Sequence, residues 1–122
     1  MNRRETGVLG EKLAADFLVR RGYTIIEKNF RCREGEVDII CRKAEYVVFV
    51  EVRTKHGRGF GPPEESVTET KKQHLRSIAA RYLESHSGLP ADWRIDFVAV
   101  ELDRDNRLRR IEIIENAVED AD

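Results

Sequence analysis

Residues 35–53 read GEVDIICRKAEYVVFVEVR and decide the fold. Two runs rich in β-branched and aromatic residues, 36–42 and 46–53, are separated by only a few polar residues. Runs of this kind, joined by a short polar turn, are typical of a β-hairpin. The turn is predicted to centre on Ala44 and Glu45.

The side-chain pattern supports a hairpin with this turn, because it separates an apolar face from a polar one. One face is predicted to pack against a helix, since all its members are apolar: Val37, Ile39, Cys41, Val48, Val50 and Val52. The other face carries Asp38, Ile40, Arg42, Val47, Phe49, Glu51 and Arg53. In the same register, Asp38 lies directly across from Glu51.

Two carboxylates directly opposite each other on neighbouring strands would have Cβ atoms about 4.5–5.5 Å apart, where like charges destabilise a sheet. Positive charge is therefore expected between Asp38 and Glu51. A divalent cation such as Mg²⁺ or Mn²⁺ would supply it, because Mg²⁺ takes oxygen ligands and is often held by one or two carboxylates. An ordinary ion-pair cluster, in which Arg53 or Arg42 neutralises the carboxylates, accounts for the same spacing.

Two further residues are candidates for the same site. Arg53 follows Glu51 by two residues, so strand alternation places it on the same face. Its guanidinium can position water or stabilise negative charge, but it stays protonated. Glu11 falls at the rim of the apolar stripe of a predicted helix and is a candidate third carboxylate; a solvated helix charge is the alternative.

The flanking sequence predicts a single domain over residues 1–122. Residues 8–21 carry apolar side chains at helical spacing, and a second such stripe follows a Ser66-x-x-Glu69 capping box. Strands are predicted at 23–30, 36–42, 46–53, 94–102 and 108–115. The order α-β-β-β-α-β-β predicts an α/β fold with one mixed five-stranded sheet and helices packed against it. An acidic tail from about residue 116 is predicted to be flexible.

Composition excludes several classes of protein. Of 122 residues, 40% are hydrophobic and 37% are charged, which is typical of a globular domain. The longest purely apolar run, residues 46–50, is far shorter than the ~18 residues of a membrane span, and the N-terminus does not resemble a signal peptide. A cytoplasmic protein without a membrane partner is therefore expected. Cys32 and Cys41 lack metal-binding spacing and are expected to be reduced thiols.

Positive charge is concentrated in the first three quarters of the chain. Residues 1–90 carry 17 Lys and Arg against 13 Asp and Glu, whereas residues 91–122 carry 5 against 10. Basic residues on and before the second helix are candidates for contacts with a nucleic-acid backbone: Lys55, Arg58, Lys71, Lys72 and Arg76. A solvated helix face is the alternative for the helical members of this set.

Four motifs carry a resemblance to a known family. They are G-x-x-G-E-x-x-A from Gly7 to Ala14, GEVDII at 35–40, VFVEVR at 48–53, and R-x-D-x-V-x-V from Arg94 to Val100. Together they resemble the YraN-like family of small bacterial proteins, over nearly the whole chain. That family resembles archaeal Holliday-junction resolvases and belongs with the PD-(D/E)XK nucleases.

The resemblance implies a restriction-endonuclease-like fold and a Mg²⁺- or Mn²⁺-dependent endonuclease acting on DNA, branched DNA included. It places Glu11, Asp38, Glu51 and Arg53 on the catalytic positions, with Asp38 and Glu51 as the metal ligands. Arg53 stands where the nucleases are expected to hold a lysine, so Lys55 or Lys71 would have to substitute for it. The alternative function is a nucleic-acid-binding module that retains the fold without turnover. The sequence leaves a homodimer open.

Overall fold

The computed structural model describes residues 1–57, 59 and 61–118. Its elements are α1 (Arg3–Arg20), β1 (Thr24–Cys32), β2 (Gly35–Lys43), β3 (Tyr46–His56), a 3₁₀ helix (Pro63–Ser66), α2 (Glu69–Ser85), β4 (Asp92–Leu102) and β5 (Leu108–Ile114). The strands form one sheet in the order β1-β2-β3-β4-β5. Strands β3 and β4 are parallel, with α2 as their crossover, and the other neighbours are antiparallel. The predicted mixed five-stranded α/β architecture is confirmed.

Helix α1 begins at Arg3, and its predicted start at residue 8 is wrong. The Asn2 side-chain oxygen accepts a hydrogen bond from the Glu5 N–H at 2.9 Å, and the Glu5 carboxylate accepts one from the Asn2 N–H at 3.2 Å. This reciprocal capping box satisfies two of the N–H groups that a helix start leaves unpaired. The first turn has no buried side chain, so apolar spacing did not reveal it; the buried residues are Gly10, Ala14, Ala15 and Leu18.

Along its ladder, the hairpin of β2 and β3 has the predicted register, but the ladder ends before the predicted pair of Asp38 with Glu51. Ile39 pairs with Val50, and Ile40 pairs with Phe49. Ala44 in the connecting turn has a φ of 52°. A left-handed residue of this kind gives the tight turn that the short polar segment predicts.

The predicted face of Val37 is wrong. Val37 packs with Ile40 in the cluster beneath α2, whereas Ile39 packs in the cluster beneath α1. Regular alternation would have put Val37 and Ile39 on the same face. On β1, Asn29 lies between the partners of Val37 and Ile39 and has a φ of 53°. The alternation is therefore broken at this level of the sheet, which is also the level of Asp38.

Helix α2 is capped by Thr68, and the predicted Ser66-x-x-Glu69 capping box is wrong. The Thr68 hydroxyl accepts a hydrogen bond from the Lys71 N–H at 3.1 Å. Ser66 ends the preceding 3₁₀ helix, and its hydroxyl donates to the Pro63 carbonyl at 2.6 Å. With Thr68 as the cap, the helix starts two residues later than a Ser66 cap would place it, and Lys71 lies in its first turn.

Two clusters of buried apolar side chains enclose the sheet. The cluster beneath α1 contains Ala14, Leu18, Ile39, Cys41, Val48, Val50, Val98, Val100 and Leu102. The cluster beneath α2 contains Val37, Ile40, Phe49, Leu75, Ile78, Ala79, Tyr82, Ile95 and Phe97. Both faces of β2, β3 and β4 are therefore covered, which explains why residues 46–50 read as one apolar run.

The segment after β5 packs against β4. The Asp96 carboxylate accepts a hydrogen bond from the Asn116 N–H at 3.0 Å, and the Ile95 carbonyl accepts one from the Ala117 N–H at 2.7 Å. The rest of the tail predicted to be flexible, residues 119–122, lies outside the described residues. Among the helices of the described ranges, none is long and apolar enough to cross a membrane.

Candidate active site

The site lies where β2 and β3 separate. Their ladder runs from Lys43 and Tyr46 to Ile39 and Val50. Beyond it, the Asp38 carboxylate accepts a hydrogen bond from the Val52 N–H at 2.7 Å. A side chain thus takes the place of a strand carbonyl, which holds the two strands together while opening the sheet.

Glu51 is buried on the α2 side of this opening. It follows Phe49 of the α2-side cluster by two residues, and it is 4% exposed. Its Oε2 lies 2.9 Å from Arg53 Nη2, and its Oε1 lies 3.7 Å from Lys71 Nζ. Within the described part of the chain, Oε1 has no hydrogen-bond partner. A buried carboxylate oxygen without such a partner is costly and calls for a ligand.

The surroundings of the two carboxyl groups raise the pKa of both. Burial and, after it, the nearby Asp38 carboxylate raise the pKa of Glu51 to about 8, against the opposing effect of Lys71 and Arg53. Burial also raises the pKa of Asp38, although the hydrogen bond from the Val52 N–H opposes this. Paired acids with raised pKa values are a frequent mark of functional sites.

The raised pKa of Glu51 predicts a pH-dependent stability. The folded protein holds this proton more tightly than the unfolded chain, so the stabilisation is complete below about pH 4.5 and is lost as the pH rises toward 8. Glu51→Gln should remove this dependence and raise the free energy of unfolding above pH 8 by roughly 1–3 kcal/mol. Urea denaturation in EDTA at several pH values measures it. The same change at the exposed Glu45 is the control, and parallel pH profiles for Glu51→Gln and the parent would contradict the prediction.

Glu11 reaches the same opening from α1. It is partly buried, and its pKa is raised by burial and by the Asp38 carboxylate, while a hydrogen bond with Asn29 lowers it. The structure thus brings Glu11 near Asp38, as the hypothesis of a third carboxylate requires. Gly10 explains how α1 comes so near: a Cβ on this residue would lie 1.8 Å from Thr54 Oγ1 on β3.

An open groove of about 840 Å³ runs beside these carboxylates. We call it the α1 groove. The N-terminal half of α1 forms one side of the groove, and Asp38 and Glu11 also line it. Its lining includes Arg3, Arg4, Gly7, Glu11, Asp38 and Arg53. Arg3 and Arg4 were missed by sequence reasoning, and the signal that could have found them is the Asn2-x-x-Glu5 capping box.

The predicted nucleic-acid-binding residues do not lie together. Lys71 points to Glu51, and its Nζ also donates to the Glu36 carbonyl at 2.8 Å. Lys72 and Arg76 line a separate cavity with the segment 116–118. Lys55 Nζ donates to the carbonyls of Gly59 and Gly61, at 3.3 and 2.9 Å. Arg58 lies outside the described residues.

Lys55 and Lys71 were the two lysines named as substitutes at position 53, and their contacts differ. Lys55 holds the loop that follows β3. Lys71 comes within 3.7 Å of Glu51, from a different element. Lys71 therefore occupies the surroundings of the buried carboxylate together with Arg53.

The donor set fits a divalent cation held by two carboxylates. Among the described residues, no group of three or more His, Cys, Asp and Glu side chains is arranged to hold a metal ion. Mg²⁺ does not require such a group, because it is commonly bound by one or two carboxylates, with waters and substrate phosphates completing its shell. Glu51 Oε1, which accepts no hydrogen bond from the described residues, and the neighbouring Asp38 carboxylate are suitable oxygens.

Residues 10–100 match the family described as Uncharacterised protein family UPF0102. A UPF0102 protein of Dehalococcoides mccartyi is 50% identical over 117 residues, which cover 96% of this chain and 95% of that protein. A UPF0102 protein of Moorella thermoacetica is 45% identical, covering 96% of this chain and 98% of that protein. A third, of Caldicellulosiruptor saccharolyticus, is 41% identical with coverage of 96% and 99%. The chain therefore belongs to the UPF0102 family, the YraN-like proteins whose motifs it carries.

Proposed function

We propose that this protein is a metal-dependent endonuclease that hydrolyses phosphodiester bonds of DNA. The observation that carries the proposal is the closeness of the buried Glu51 to Asp38, which lines the solvent-open α1 groove. Lys71 and Arg53 both contact Glu51 there. Two carboxylates and two cations at one opening are the groups that phosphodiester hydrolysis uses to hold a metal and to stabilise a phosphate.

Asp38 and Glu51 would hold the ion, Mg²⁺ or Mn²⁺. When bound, it supplies a water of lowered pKa and neutralises charge on the phosphate oxygens. Arg53 keeps its charge throughout and offers donors to a phosphate oxygen. Lys71 can both donate a hydrogen bond and, unlike Arg53, exchange its proton with a neighbouring base. Lys71 thereby supplies from α2 the lysine that β3 lacks at position 53.

A DNA-binding module without turnover is the second candidate. The observation that favours it is the ion pair between Arg53 and Glu51, which satisfies one carboxylate oxygen without a metal. Incubation with junction, flap and linear DNA, in Mn²⁺ and in EDTA, distinguishes the two functions. Cleavage that requires the metal supports the nuclease, and preference for the junction supports a resolvase-like enzyme. Binding without cleavage of any substrate supports the module.

The metal hypothesis predicts a specific loss of affinity. Asp38→Asn should weaken Mn²⁺ binding at least about 10-fold, because changes even outside the ligands of a metal cost that much. Calorimetric titration of the folded protein measures the affinity. Asp92→Asn, the same change at an exposed position at the far end of the sheet, is the control. Equal affinities for the parent and Asp38→Asn would refute the shared metal site.

A further inference from the structure

Gly7 lies within α1 without a structural reason to be glycine. A Cβ on Gly7 would meet nothing within 4 Å. At Gly10, in contrast, Thr54 leaves no room for a Cβ. Glycine in the interior of a helix is destabilising relative to alanine. Gly7 lines the α1 groove. The absence of a side chain at Gly7 therefore keeps the groove open, and it lowers the stability of the helix.

Two arginines near the start of α1 also oppose its stability. Arg3 and Arg4 occupy the first turn, where the positive end of the helix dipole disfavours cations. Both are exposed, and both line the α1 groove with Arg53. Three unfavourable helix residues on one wall of one groove indicate a ligand whose binding they favour.

The charged groups and the length of the groove indicate which kind of ligand it fits. Guanidinium groups at the rim match phosphates, to which they donate paired hydrogen bonds. From Arg3 to Glu11 the helix rises roughly 12 Å. One strand of a duplex passes about three to four phosphates in that length. A polyanion of several phosphates therefore fits the groove better than a single phosphate does.

We infer that the α1 groove receives a nucleic-acid backbone, which Arg3 and Arg4 bind and for which Gly7 leaves room. The inference rests on the proposed function and adds where the substrate lies. The backbone follows α1 toward Asp38 and Glu11. Lys72 and Arg76 line a cavity elsewhere on the molecule and are not required for this contact.

Fluorescence anisotropy with a labelled oligonucleotide in EDTA tests the arginines, because hydrolysis does not enter. Arg3→Gln with Arg4→Gln should weaken binding roughly 10-fold and reduce the slope of log affinity against log salt by about 2, one unit for each phosphate contact. Lys12→Gln with Arg20→Gln removes two exposed cations of the same helix outside the groove. This double variant should keep the parent's affinity and salt slope. A mononucleotide should bind far more weakly than the oligonucleotide.

Gly7 is tested by variants that separate binding from stability. Gly7→Ala and Gly7→Leu should both raise the melting temperature, since each improves helix propensity in open space. Gly7→Leu should also weaken oligonucleotide binding at least about 10-fold, because its side chain fills the groove.

Two results would overturn the inference: arginine variants that bind with the parent's affinity and salt slope, or a parent protein that binds no nucleic acid. Loss of binding with Lys72→Glu and Arg76→Glu alone would move the contact to α2. In that case metal-dependent cleavage would still stand. Conversely, groove-dependent binding without cleavage in Mn²⁺ would keep the inference and reject the nuclease.

Discussion

Glu51→Gln is expected to reduce single-turnover cleavage of DNA by on the order of 10³-fold, the upper range for loss of one group that stabilises a transition state. The amide keeps the shape of the side chain but removes the charge that would bind the ion. It also removes the partner of both Arg53 and Lys71. The variant should remain folded, because a neutral group at this buried position is what the raised pKa of Glu51 favours.

Glu45→Gln is the matched control, since Glu45 lies exposed in the turn of the same hairpin. It should cleave like the parent. Single-turnover conditions with saturating Mn²⁺ keep binding apart from chemistry. Cleavage by Glu51→Gln at the parent's rate would exclude Glu51 from the reaction, and with it the proposed active site.

Lys71→Ala is expected to reduce single-turnover cleavage by roughly 10²–10³-fold, the cost of losing one transition-state donor. Lys72→Ala should change it only a few-fold. The two lysines are neighbours on α2, but Lys71 Nζ lies 3.7 Å from Glu51 Oε1, whereas Lys72 Nζ lies 3.3 Å from the exposed Glu69. The two variants therefore remove the same kind of side chain, one inside the candidate site and one outside it. Equal effects of the two changes would show that Lys71 acts only through general charge.

Arg53 variants complete this comparison. Arg53→Ala should cost roughly 10²-fold if the guanidinium stabilises the transition state. Arg53→Lys should retain or raise cleavage, because an ammonium there can take the role of the lysine expected at this position. If Lys71 has taken that role, Arg53→Lys should also tolerate Lys71→Ala better than the parent does. Cleavage by Arg53→Ala at the parent's rate would leave Arg53 with a structural role.

The sequence predicted the parts of the fold that follow from periodicity. Strand alternation gave the register of Ile39 with Val50, and helical spacing gave the buried stripe of α2. Those signals failed where a side chain replaces a backbone partner. The Asp38 carboxylate bonds to the Val52 N–H, and Val37 changes face beside it. A periodic pattern of apolar residues does not show where a side chain replaces a backbone hydrogen-bond partner.

The candidate site was predictable only where its members lie on one strand pair. Asp38, Glu51 and Arg53 follow from the hairpin. The sequence left both Lys55 and Lys71 open as the neighbouring lysine, because helical spacing does not say which strand end the first turn of α2 approaches. The approach of a helix to a strand end therefore required the structure.

The pairing of β3 has a consequence for how this site can change during evolution. Strand β3 stays paired with β4 along its whole length, from Tyr46 to His56, although its ladder with β2 ends at Val50. The candidate site residues of β3, Glu51 and Arg53, are therefore held by a continuous strand ladder on one side only. The opposite border, built by β2 and α1, can accept insertions and exchanges without moving that ladder. Descendants of such a protein can therefore change the parts of this border away from Asp38 and Glu11 without moving Glu51 and Arg53.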